Sequence, residues 1–121
     1  MIKSRLKSFQ YAFQGIADLI RTQPNARIHL ALAALAVFLG WAFSLSAGEW
    51  CLLALAAALV FAAEAFNTAL EYLTDLVSPE YHELAGRAKD AAAAAVLFSA
   101  AGAAVIGLIL FLPRFLAIIG G

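Results

Sequence analysis

Cysteine occurs once in this sequence and proline three times. A lone Cys51 excludes an intramolecular disulfide and cannot hold a metal by itself. It reads as small apolar filler inside a helix. Charge is scarce as well: Asp, Glu, Lys and Arg make up 13% of 121 residues. So few charges do not cover the surface of a water-soluble domain of this length. Formal net charge is zero, which argues against nucleic acid as a partner. The first residues lack the apolar core of a secretory signal, because Lys3, Arg5 and Lys7 lead into an amphipathic stretch.

What is present is apolar. Hydrophobic residues reach 64%, and mean hydropathy is +0.89. The bilayer is therefore the expected solvent. Residues 3–21 alternate at helical steps, with Leu6, Phe9, Phe13, Ile16, Ala17 and Ile20 on one side. Beside a membrane segment such a helix lies in the interface plane, or packs on the other helices. Pro24 breaks it or starts the next helix. The first span is expected over residues 28–47, since no charge occurs from Leu30 to Gly48. SAGE, 46–49, reads as a turn, and Trp50 opens the second span at interface depth.

The second span, residues 50–76, is uncharged only from Trp50 to Ala63, or about 21 Å of helix. The helical pattern continues through Glu64, so the helix projects past the bilayer. Residues 77–90 are expected as a polar connection opened by Ser78 and Pro79, and residues 91–113 as the third span. Ser99, Ala103 and Gly107 recur every four positions there, a helix-packing signal. The expected fold is all-α and membrane-integral: one interfacial helix and three transmembrane helices. Three spans enclose little volume, so oligomerisation is expected. With the N-terminus in the cytoplasm, Lys3, Arg5, Lys7, Arg21, Arg27, Arg87 and Lys89 fall inside and Arg114 alone outside. That asymmetry obeys the positive-inside rule.

EAFNTALEYLTD, 64–75, carries the chemistry. Glu64, Thr68, Glu71 and Asp75 share a narrow arc of one helix face, with Asn67 at its edge. An ionisable group in hydrocarbon costs about 2.5–3.5 kcal/mol on insertion scales, and such groups mark functional sites. Carboxylates with an amide oxygen suit Mg²⁺, which often completes its shell with phosphates. A desolvated carboxylate can accept a proton from a lipid hydroxyl. Arg87, Lys89 and His82 offer charge for phosphate. Phosphoryl transfer to a membrane alcohol fits these groups. The same carboxylates also suit a proton relay in a small transport subunit. No glycine-rich P-loop or protein-kinase catalytic loop is present.

The run EAFNTALEYLTD followed by EYHELAGRAKDAAAAAV resembles the signature of the small bacterial diacylglycerol kinase and undecaprenol kinase family. The resemblance covers essentially the whole chain. It implies a homotrimer in the bacterial cytoplasmic membrane, with active sites shared between protomers and MgATP as phosphoryl donor to a lipid hydroxyl. It implies Glu64 as general base and Glu71 as metal carboxylate beside Asn67. Glu80, Tyr81, His82, Lys89 and Asp90 resemble the nucleotide-binding loop. Tyr11 and Gly15 match positions near nucleotide and lipid. One departure stands out: Gln23 occupies a position where the family usually has a metal-binding Glu. An amide can ligate Mg²⁺, but without charge, and Asp18 is a substitute only if its helix turns it inward. A kinase fold serving as an inactive scaffold is the reading this departure keeps open. Asn25, Arg27 and His29 resemble the pattern of the undecaprenol branch, with diacylglycerol as the other acceptor. His29 by itself reads as a satisfied interfacial histidine.

Overall fold

The computed structural model describes residues 1–121 as four helices: α1 (Ile2–Thr22), α2 (Pro24–Ala42), α3 (Ala47–Val77) and α4 (Glu83–Gly120). In hydrocarbon every backbone N–H and C=O must be satisfied within the segment, and the helix does this without neighbours. α2, α3 and α4 are each long and apolar enough to cross a membrane. At 1.5 Å per residue α3 runs about 46 Å and α4 about 57 Å, so both exceed a core of about 30 Å.

Helix boundaries differ from the expected spans for local reasons. α2 starts at Pro24, ahead of residue 28, because proline at the first helical position has no N–H to leave unpaired. It ends at Ala42, short of residue 47. There Ser44 adopts φ 54°, its N–H bonds the Trp41 carbonyl, and the Leu45 N–H bonds the Gly40 carbonyl. This is a Schellman stop with serine in the left-handed position. SAGE is not a free turn. Ser46 caps α3 by accepting from the Glu49 N–H, while the Glu49 carboxylate accepts from the Ser46 N–H.

The expected polar connection over 77–90 is much shorter, since only Ser78–His82 lie outside helix. His82 caps α4 by accepting the Leu84 N–H at Nδ1, and residues from Glu83 onward wind into helix. Pro113, expected to close the third span, lies inside α4. It cannot donate to the carbonyl four residues back. One residue later the Arg114 guanidinium donates to the Leu110 carbonyl, and the helix continues to Gly120.

α3 and α4 form the most extensive packing pair, an antiparallel hairpin. An ion pair clasps each end of it: Lys89 with Asp75 near the connection, and Arg114 Nη2 with Glu49 Oε2 at 2.9 Å at the other. Leu45, Leu110 and Phe111 form the buried core beside the second clasp, with Trp50 and Phe43 packed around it. α1 joins the bundle through the Tyr72 hydroxyl, which donates to Asp18 Oδ2 at 2.8 Å. Most of its apolar face stays open, with Leu6, Phe9 and Phe13 all more than 60% exposed. That helix therefore does not spend its apolar face on packing within the protomer.

Only 11 residues are buried, so the apolar surface of the protomer is directed outward to lipid or to further protein. The small-residue face of α4 is not used in close packing inside the protomer, because a Cβ at Gly102 or Gly107 would meet nothing within 4 Å. Gly40 differs: an added Cβ would lie 2.7 Å from the Trp50 ring and 3.0 Å from Leu45. Gly40→Ala is expected to destabilise by about 1–3 kcal/mol. Gly107→Ala is expected to leave stability within about 0.5 kcal/mol. Unfolding of the two variants in detergent micelles checks the contrast.

Candidate active site

The acidic face of α3 divides into a deep and a shallow part. Glu64 and Thr68 are the deep part, 2% and 5% exposed. Glu64 Oε1 and Thr68 Oγ1 are sealed from solvent without a hydrogen-bond partner. Across the helix interface, His29 of α2 brings Nε2 to 3.4 Å from Glu64 Oε1. The pair is close, yet its alignment falls short of a hydrogen bond. A carboxylate held out of water with unmet bonding capacity is costly.

One turn on, Asn67 Nδ2 donates to Glu71 Oε1 at 3.4 Å, while Asn67 Oδ1 is buried and unpartnered. An orphaned amide oxygen beside a carboxylate is a hard, oxygen-only donor set that fits Mg²⁺. No cluster of three or more acidic, His or Cys groups with metal spacing forms in the chain. A hard ion held here would complete its shell with phosphate oxygens and water. Gln23 is at the junction of α1 and α2, donating its amide N–H to Thr22 Oγ1 at 3.3 Å. Thr22 Oγ1 in turn lies 3.3 Å from the Tyr72 hydroxyl, on the residue after Glu71. Asp18 is engaged by Tyr72 and lies 4.0 Å from Arg21, which gives it a structural task.

The shallow part is a pocket of about 190 Å³ at the α3–α4 connection, lined by Thr74, Asp75, Ser78, Glu80, Tyr81, His82, Gly86 and Lys89 among others. Lys89 lies outside the apolar run of α4, and its hydrogen bond to Asp75 holds its ammonium above the usual lysine range. His82 accepts the Leu84 N–H at Nδ1 and also lines this pocket. Arg87 and Asp90 are exposed and outside this pocket. Tyr11 is 65% exposed, Gly15 has no neighbour within 4 Å of an added Cβ, and Asn25 is exposed. Arg27 donates to the Arg21 carbonyl at 3.3 Å.

Between α2, α3 and α4 runs an apolar groove of about 490 Å³. Leu32, Val60, Ala100 and Ala103 are among its walls, and His29 is its one ionisable lining residue. The small side chains of α4 that recur every four positions thus open a groove within the protomer instead of closing one. Placed together, these features offer a deep carboxylate, an oxygen-rich half-site, a polar shallow pocket that contains Lys89, and an apolar channel. Sequence reasoning missed the approach of His29 to Glu64, because a contact between two helices leaves no local spacing to read.

The model of the prokaryotic diacylglycerol kinase family matches residues 10–111. The chain is 41% identical over 108 residues to an undecaprenol kinase of Bacillus subtilis, covering 89% of this chain and 88% of that one. It is 42% identical over 114 residues to a diacylglycerol kinase of Synechocystis, covering 93% of this chain and 65% of that longer protein. A diacylglycerol kinase of Escherichia coli is 32% identical over 110 residues, with 91% and 90% covered.

The orphaned hydroxyl of Thr68 provides a direct test of the buried polar cost. Thr68→Val removes it at nearly equal volume and is expected to stabilise the fold by about 1 kcal/mol. Denaturant or thermal unfolding in micelles reads this, and a loss of stability would mean that the hydroxyl has a partner in the membrane.

Proposed function

The chain belongs to the prokaryotic diacylglycerol kinase family, and on that premise we propose how its residues divide the reaction. It is a membrane lipid kinase that moves the γ-phosphoryl group of ATP to a lipid alcohol. A proton-relay subunit, the other use of intramembrane carboxylates, is displaced by this membership.

Glu64 is the general base. The observation that carries this assignment is its burial at 2% exposure with Oε1 unpartnered, beside the residue that ends the apolar groove. The lipid chain lies along apolar surface and its hydroxyl reaches Glu64 at the polar end. Glu64 takes the hydroxyl proton as the oxygen attacks the γ-phosphorus, and ADP leaves. Positioning and electrostatics supply most of the rate in such transfers.

Glu71 and Asn67, with Gln23 as a neutral amide donor, would hold Mg²⁺. The ion, when bound, offsets charge on the phosphates. Lys89 exchanges Asp75 for a phosphate, and Glu80, Tyr81 and His82 border the nucleotide in the shallow pocket. Tyr11, Gly15, Asn25, Arg27, Arg87 and Asp90 do not line the shallow pocket and make no side-chain hydrogen bond or ion pair to these groups within one chain. In our reading a homotrimer brings neighbouring copies of them to each site, which also covers apolar surface left open in the protomer. The excess of Lys and Arg on one side puts the N-terminus in the cytoplasm of a bacterial inner membrane.

Undecaprenol is the favoured acceptor, supported by Asn25, Arg27 and His29 and by the undecaprenol kinase relative. Diacylglycerol is the second, favoured by the Synechocystis and Escherichia coli relatives. Transfer of labelled γ-phosphate from MgATP to each lipid in parallel decides between them. Glu64→Gln is expected to lower kcat by about 10²–10⁴-fold. Lys89→Met is expected to raise KM for ATP with a smaller change in kcat. Full activity of folded Glu64→Gln would remove the base assignment.

A further inference from the structure

Glu64 has two unlike oxygens. Oε1 is sealed from solvent and faces His29 Nε2 at 3.4 Å, while Oε2 is not enclosed in this way. The His29 side chain is 21% exposed and Glu64's 3%, so the imidazole bridges the groove and the buried carboxylate. We propose that His29 is the positioning residue of the phosphoryl acceptor site, its Nε2–H holding Glu64 Oε1 so that Oε2 meets the lipid hydroxyl. This inference rests on Glu64 being the base and adds how that base is aimed.

Three observations support it. A buried Oε1 without a partner demands a donor, and His29 supplies the only cation-capable group within 4.0 Å of it. A small rotation of the imidazole completes the bond, and catalytic hydrogen bonds are often loose before substrate arrives. His29 also lines the apolar groove, so a lipid entering there would press on the ring. The proton balance is complete. The lipid O–H proton moves to Oε2, the new O–P bond forms, and the bond to the bridging oxygen breaks with its electron pair leaving on ADP. His29 keeps its proton on Nε2 throughout.

The other charged groups nearby are committed or distant. On α1, Asp18 meets Tyr72 and Arg21, and on α2, Arg27 bonds the Arg21 carbonyl. On α3, Glu71 bonds Asn67 and Asp75 pairs with Lys89 of α4. Along the groove α4 presents Ala100, Ala103 and Ala104, and its Asp90 is ten residues away, roughly 15 Å along the axis.

The test measures kcat and KM for wild type, His29→Gln, His29→Leu and Glu64→Gln in lipid micelles. His29→Leu, which cannot donate, is expected to lose about 10–100-fold in kcat with KM for ATP within twofold. His29→Gln, which still donates, is expected to recover most of kcat. An unchanged kcat in folded His29→Leu overturns the proposal. So does a loss of about 10–100-fold in kcat in folded His29→Gln, which decides the matter even if His29→Leu does not fold. If Glu64→Gln is itself fully active, the base assignment fails. If Glu64→Gln is inactive while the His29 variants behave as wild type, only the positioning role fails.

Discussion

An ionisable carboxylate at low dielectric is the constraint around which this molecule is built. Glu64 is almost fully buried in a helix whose preceding fourteen residues, Trp50 to Ala63, carry no charge. Bulk water cannot solvate it, and no protein group within the chain bonds it in good geometry. The fold tolerates that cost because α3 meets its backbone bonding within the helix and the apolar faces on either side lose nothing to lipid. A group kept at such cost is the natural candidate for the base in our proposed reaction, since attack by an alcohol on a phosphorus requires an acceptor for the hydroxyl proton.

Holding such a group still requires a rigid frame. The α3–α4 hairpin supplies it, clasped by Lys89 and Asp75 at one end and by Arg114 and Glu49 at the other. Since Asp75 lies on the same helical face as Glu64, the clasp and the buried carboxylate share one rigid rod. The pocket at the connection and the deep carboxylate are therefore held in fixed register along α3, about 16 Å apart by helical rise. α2 leans away from α4, and the resulting groove admits apolar surface toward His29. α1 is held more lightly, by Tyr72 on Asp18 and Thr22, beside the half-site of Asn67 and Glu71.

Little of the fold needed tertiary information to be read. The apolar runs made three spans and an amphipathic helix legible, because length and polarity alone decide what crosses a bilayer. Boundaries were less legible. Pro79 reads as the start of a long connection, yet His82 capping restarts helix within a few residues. Pro113 reads as a stop, yet α4 continues through it to Gly120. Ser44 gives no hint of a left-handed turn, since serine seldom adopts it.

For the site, the sequence by itself determined the acidic face of α3, because a period of 3.6 residues puts Glu64, Thr68, Glu71 and Asp75 on one side whatever surrounds them. It also determined membrane residence and the family, through composition and an extended motif. Only the tertiary structure decided which of those acids is buried and which is paired. It separated Glu64 from Asp75, tied Lys89 to the latter, turned His82 into a helix cap and brought His29 to Glu64. Each of these depends on how two helices or a cap approach one another, and such approaches are set by packing between segments, which no spacing within a single segment encodes.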